Sequence, residues 1–191
     1  MAVKTMSATS GGDGKFDDGW HELTIANATY GTYKAPAGDK RYITLNFEGY
    51  PDNMDLRIYE VYNKTTNEEF KVANLFKYAN AGILNVLQDP TGKKPVIQYD
   101  DEADNLVDTR VNALFVKETN TADGKEYSRI FDLVPVAQET EHITWTTDDV
   151  ERLKKGVERR HTKKNAVSTN GIGTVNVDTT TSTTGDVEIP F

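Results

Sequence analysis

Along much of the first half of the chain, apolar and polar residues alternate with a period of two. In KRYITLNFEGY (40–50), Arg41, Ile43, Leu45 and Phe47 fall on one side, and Lys40, Tyr42, Thr44, Asn46 and Glu48 on the other. Successive side chains of a strand point to opposite faces, so this segment predicts a strand with one buried face. MDLRIYEVYN (54–63) alternates likewise, with Leu56 and Ile58 pointing one way and Arg57, Tyr59 and Val61 the other. WHELTIANATYGTY (20–33) is rich in Thr, Ile and Tyr with no strong breaker before Gly31, and APAGDK (35–40) makes the turn out of it. The period turns helical in NEEFKVANLFKYANAG (67–82), where Phe70, Ala73, Phe76 and Ala79 or Asn80 recur, with Leu75 beside them. Asn67 stands as its cap and Gly82 as its stop. LQDPTGKKPVIQYDDEADNLVDT (87–109) reads as a long acidic connection. RVNALFVKETN (110–120) and KEYSRIFDLVPVA (125–137) read as strands around an Asp-Gly hairpin turn. TWTTDDVERLKKGVERRHTKKN (144–165) opens on a Thr/Asp cap pattern and reads as a charged helix.

The expected fold is therefore mainly β, with three strands, a helix and two more strands. That is the layout of the OB fold, a five-stranded Greek-key barrel that binds oligonucleotides or oligosaccharides. The expected organisation is a disordered arm over 1–18, a barrel over 19–140 and a charged helix over 141–165. A Thr/Ser/Gly-rich linker over 166–185 and an acidic tip over 186–191 follow.

The chain has 191 residues, 37% of them hydrophobic and 27% charged. This is lean for a compact domain and agrees with unpacked tails. Without cysteine, disulfides, thiolate zinc sites and cysteine nucleophiles are excluded, and a reducing cytoplasm is the expected compartment. The first residues hold no apolar signal core, and no apolar run is long enough to span a membrane. A net charge of −8 argues against a nucleic-acid binder. The distribution softens that objection: residues 166–191 carry Asp178, Asp186 and Glu188 and no base, leaving the body at −5.

Catalytic chemistry finds little support. His21, His142 and His161 stand far apart, and no phosphate loop or nucleophile elbow occurs. The acids of DDEADNLVD (100–108) lack the pattern of a calcium loop and read as a solvated segment, with a metal-dependent nuclease as the enzymatic rival. No cofactor is expected. A binding face is better supported. Tyr42 with Lys40 and nearby Arg41, Tyr59 with Arg57, and Tyr127 with Arg129 pair aromatic rings with cations on strands. Single-strand binders stack bases on such rings and track phosphates with such cations. The other rival is a structural or carbohydrate-binding β-barrel, for instance a virion component, whose Thr-rich tail is simply a tether. The run ERLKKGVERRHTKK (151–164) offers a further phosphate contact or an internal partner for the acidic tail.

The chain closes on GDVEIPF. Pro190 stiffens the backbone, Phe191 supplies an apolar anchor, and Asp186, Glu188 and the α-carboxylate supply charge for a basic pocket rim. Asp186, Glu188, Ile189, Pro190 and Phe191 resemble the C-terminal tip of bacterial single-stranded DNA-binding proteins. Val187 interrupts the acidic run of that tip, and the extra segments 87–109 and 138–165 make the body look more like the divergent bacteriophage-type members. The resemblance implies an OB domain that coats single-stranded DNA without strong sequence preference. It also implies a tip that recruits replication, recombination and repair enzymes, in the host cytoplasm if phage-encoded. A homo-oligomer is compatible with it.

Overall fold

The computed structural model describes residues 16–35, 38–51, 54–88 and 95–169. The sequence expectations for 1–15 and 170–191, including the acidic tip, lie outside these residues.

The alternating segments form strands β1 (Gly19–Ala35), β2 (Gly38–Phe47) and β3 (Leu56–Tyr59), followed by helix α1 (Lys71–Ala79). A hairpin of β4 (Ile83–Leu87) and β5 (Val96–Tyr99) comes next, then strands β6 (Arg110–Thr119) and β7 (Glu126–Pro135). A two-residue ladder of β8 (Gln138–Glu139) and β9 (Thr144–Trp145) leads into helix α2 (Thr147–Thr169). The principal sheet is antiparallel, in the order β3-β2-β1-β6-β7. The fold is thus mainly β, as expected; among the described residues no ladder joins β3 to β7, so no hydrogen-bonded closure of a five-stranded barrel is seen there.

The long first strand links the two halves. Gly19–Thr24 pair with β6 and Ile25–Ala35 with β2, with a register shift between Ile25 and Asn27. An inserted residue of this kind bends a strand and increases its twist. The backbone of Ile25 is satisfied there by Asp108 N–H and Thr109 C=O, each at 2.9 Å. The inner faces of both halves then share one core. Leu23, Ile25, Ile43, Leu45, Phe47, Phe115 and Leu133 pack on Val72, Leu75, Phe76 and Ala79 of α1.

Strand β6 departs from alternation, being buried continuously from Val111 to Val116. Its inner residues Ala113 and Phe115 belong to the main core, and its outer residues Leu114 and Val116 lie under α2 with Val134, Val150 and Val157. Covering both faces removes the reason for polar positions on either. Trp20 Nε1 donates to Glu158 Oε1 at 2.8 Å and Arg160 pairs with Asp132 at 2.9 Å, fixing α2 on the sheet.

Four sequence expectations need correction. Helix α1 starts at Lys71, and its first N–H groups are capped by the carboxylate of Glu69, which accepts from Lys71, Val72 and Ala73 at 2.8–3.0 Å. Asn67 lies outside the helix at φ +56°, and the helix ends on Asn80 in the left-handed region, not on Gly82. The stretch 87–109 is not a bare connection: it holds the second half of the β4–β5 hairpin and a short 3-10 turn whose Leu106 is fully buried. Gly82 supports that hairpin: at φ +60° its backbone accepts from Asp100 N at 2.8 Å, and a Cβ would lie 2.4 Å from Asp100 O. Phe16, assigned to the arm, packs on Tyr50 and Phe115 at ring distances of 5.0 and 5.9 Å. Among the described residues no helix is long and apolar enough to cross a membrane.

Candidate nucleic-acid interface

Register decides which side chains share the outer face of β1, β2 and β3. Gly31 pairs with Tyr42, Tyr33 with Lys40, Tyr42 with Tyr59 and Thr44 with Arg57, so all of these stand on one side of the sheet. Ile43, Leu45 and Ile58 occupy the other side and fill the core, as the alternation requires.

Three tyrosines meet on this outer face. Ring centroids are 5.0 Å apart for Tyr33 and Tyr59, 5.5 Å for Tyr42 and Tyr59 and 6.3 Å for Tyr33 and Tyr42. Tyr33 and Tyr59 meet edge-to-face at 80° and the other two pairs are tilted by 49° and 51°, at spacings favourable for aromatic pairs. Gly31 makes room for the cluster: a Cβ there would lie 2.5 Å from Cζ and Oη of Tyr42, so the ring lies directly over the glycine. Tyr59 is 42% exposed. The Arg57 guanidinium sits 5.6 Å from the Tyr42 ring centre and pairs with Asp55 at 3.2 Å. Lys40, across from Tyr33, adds a second cation at the rim. Ring surface beside cations can take up unpaired bases and their phosphates.

Of the residues proposed from sequence, Lys40, Tyr42, Arg57 and Tyr59 come together here. Tyr33 was missed. Its membership follows from the β1–β2 register, which the alternation of β1 alone does not disclose. Arg41 lies on the opposite face, 4.2 Å over the ring of Tyr30, and pairs with Glu60 at 3.5 Å and Asp101 at 3.8 Å. Burial first, then the neighbouring Asp101, pushes the Tyr30 phenol well above its ordinary value, and its hydroxyl is buried without a partner. Tyr127 and Arg129 sit on the far strand of the sheet and are tied to Glu118. The Tyr127 hydroxyl donates at 3.1 Å and Arg129 Nε lies 2.7 Å from the carboxylate.

In the acidic segment 100–108, Asp101 pairs with Arg41 and Leu106 enters the core. Among the described residues no three His, Cys, Asp or Glu are placed to hold a metal ion. His21 packs edge-on against Phe115 and His161 against Phe131, at 4.7 and 4.9 Å. In the basic run, Arg152, Lys154 and Arg160 pair with Asp149, Glu151 and Asp132.

The chain matches no protein-family model and no curated protein sequence.

Proposed function

We propose that the chain is a non-catalytic single-stranded DNA-binding protein of the OB type, with Tyr33, Tyr42, Tyr59, Arg57 and Lys40 as the surface that holds the strand. The observation that carries this reading is the three-tyrosine cluster flanked by cations on the outer face of the second and third strands. In OB folds that is the face that takes oligonucleotides. Further support comes from the strand order, the long bent β1 shared by both halves of the sheet, and α1 between the third strand and β6. The segment Asp186–Phe191 then recruits enzymes of replication, recombination and repair, with Phe191 as anchor and Asp186 and Glu188 meeting a basic rim. Whether the protein is bacterial or encoded by a bacteriophage does not alter this chemistry.

The test is fluorescence anisotropy with an unstructured oligo-dT as single strand and as duplex, at two salt concentrations. Single strand binds more tightly, and affinity falls with salt at a slope of about −0.7 per phosphate neutralised. Equal affinity for the duplex overturns the reading. An oligosaccharide would stack on the same rings with no salt slope, which separates the carbohydrate-binding alternative.

A further inference from the structure

At the opposite edge of the sheet from β3, helices α1 and α2 and strand β7 enclose a groove of about 620 Å³, the size of a ligand pocket. Leu75, Leu133 and Val157 form its buried apolar floor, and Phe70, 43% exposed, adds an aromatic ring.

The polar lining says more about what fits. Lys71, Asn74 and Tyr78 recur on α1 at spacings of three and four, so they share the face turned to the groove. Among the described residues, none of these three side chains has a hydrogen-bond or ion-pair partner. Burial first, then Asp132, raises the Tyr78 phenol above its ordinary value, so it stays a hydrogen-bond donor. On the facing wall α2 contributes Arg159, whose Nε donates at 3.1 Å to the Lys155 carbonyl of its own helix and which has no acid paired with it among the described residues. The other two arginines of the groove are already matched, Arg152 by Asp149 and Arg160 by Asp132. Two cations are therefore left uncompensated, Lys71 on one wall and Arg159 on the other. Gly156 keeps the α2 wall low, since a Cβ there would meet no atom within 4 Å.

We infer that this groove is a binding site for a nucleoside monophosphate, with its base on the apolar floor and Phe70, and its phosphate between Lys71 and Arg159. Each feature of the lining selects that class. A phosphate monoester carries nearly two negative charges at neutral pH and balances two cations, whereas a single carboxylate leaves one unmatched. Arginine and lysine are the side chains that hold phosphate. A flat heterocycle covers an apolar floor and stacks on an exposed phenyl ring, as bases do. Its polar edge and the sugar hydroxyl supply partners for the Asn74 amide and the Tyr78 hydroxyl, which a plain hydrocarbon body would leave unpaired. The inference stands apart from the strand-binding reading, since it uses neither the tyrosine face nor a polymer. The same base, sugar and phosphate occur at the 5′-phosphorylated end of a DNA strand, so both sources are tested.

The experiment is a calorimetric titration of the full chain with deoxyadenosine monophosphate, with backbone amide shifts to locate the ligand. The nucleotide should shift residues 70–78, 132–134 and 152–160. Deoxyadenosine and inorganic phosphate should each bind about tenfold or more weakly, because each keeps only part of the contacts. Lys71→Gln with Arg159→Gln, both exposed, should lower nucleotide affinity by about tenfold or more, and Tyr78→Phe, which keeps the ring, by roughly two- to tenfold. Gly156→Leu fills the groove while favouring the helix, and should abolish binding. Tyr59→Ala should leave it unchanged. Melting temperatures show that each variant is folded. Oligo-dT with a 5′-phosphate is compared with the same oligo lacking it. Groove shifts from the phosphorylated form alone make the strand end a source of the ligand, and no groove shifts from either leave the free nucleotide as the ligand. Nucleotide shifts confined to the β1–β3 tyrosine face, inorganic phosphate binding as tightly as the nucleotide, or normal binding by Gly156→Leu would each overturn the inference.

Discussion

Gly31 shapes the proposed binding face through the Tyr42 ring that lies over it. Its missing side chain is the seat of the Tyr42 ring, so Gly31→Ala must push that ring aside. The expected loss of oligo-dT affinity is about 1–3 kcal/mol, the value for removing one stacking ring. Tyr42→Ala should lose a similar amount, and the double variant little more, because both changes remove the same ring. Anisotropy titrations of the three variants check this, with melting temperatures to show that the body stays folded. Tyr59→Ala should behave like Tyr42→Ala. If these tyrosine variants bind normally but melt early, the rings are structural. At this scale the sequence was readable where one strand's alternation sufficed, as for Tyr42, Arg57 and Tyr59. Tyr33 needed the ladder that places it beside Lys40, and the Tyr30 ring under Arg41 likewise follows only from pairing. A side chain's neighbours across a sheet are set by register, which no single strand encodes.

The helices carry their own tests. Glu69 caps α1 from just outside it, so Glu69→Ala should cost about 0.5–2 kcal/mol of stability, measured by urea unfolding. Asn67→Ala, by contrast, should act only through the cost of its left-handed backbone. At α2, Thr146 and Asp149 form a reciprocal cap: Asp149 N–H donates to Thr146 Oγ1 at 3.1 Å and the Thr146 hydroxyl donates to Asp149 at 2.6 Å. That hydroxyl chiefly, with the Thr146 amide and Arg152 assisting, holds the Asp149 carboxyl below its ordinary value. A lowered folded-state pKa stabilises the helix start above the ordinary aspartate value of about 4. The contribution is then lost as pH falls through the lowered value. Asp149→Asn should abolish this part of the acid dependence of α2 amide shifts. The β4–β5 hairpin escaped sequence reading for a physical reason. Leu84, Leu87 and Val96 are exposed, so no buried face imposes a period on ILNVL or VIQY. The β2 and β3 segments were readable because their inner residues are driven into the core.

Across the whole molecule, the folded unit is wider than the 19–140 segment suggested by composition. Phe16 joins the core at one end, and α2 covers Leu114, Val116 and Val134 at the other. The charge of α2 hides this role in the sequence, since Val150, Leu153 and Val157, which pack on the sheet, stand among many Lys, Arg and Glu. Val157→Ala should cost on the order of 1–3 kcal/mol, from about 0.8 kcal/mol per buried methylene plus the cavity left behind. Oligo-dT affinity should not change, because the tyrosine face lies on other strands. Thermal unfolding and anisotropy on the same sample check both statements.

The double burial of β6 also sets the order in which the molecule opens. Residues Val111–Phe115 are paired to β1 on one side and β7 on the other, with side chains packed above and below. Such amides become accessible to solvent deuterons only when the whole fold is lost, whereas hydrogen bonds of exposed elements open locally. In native-state hydrogen exchange, β6 should therefore be the last region to label, at a free energy equal to that of global unfolding. The β4–β5 hairpin should label first, well before the strands that carry Tyr42 and Tyr59.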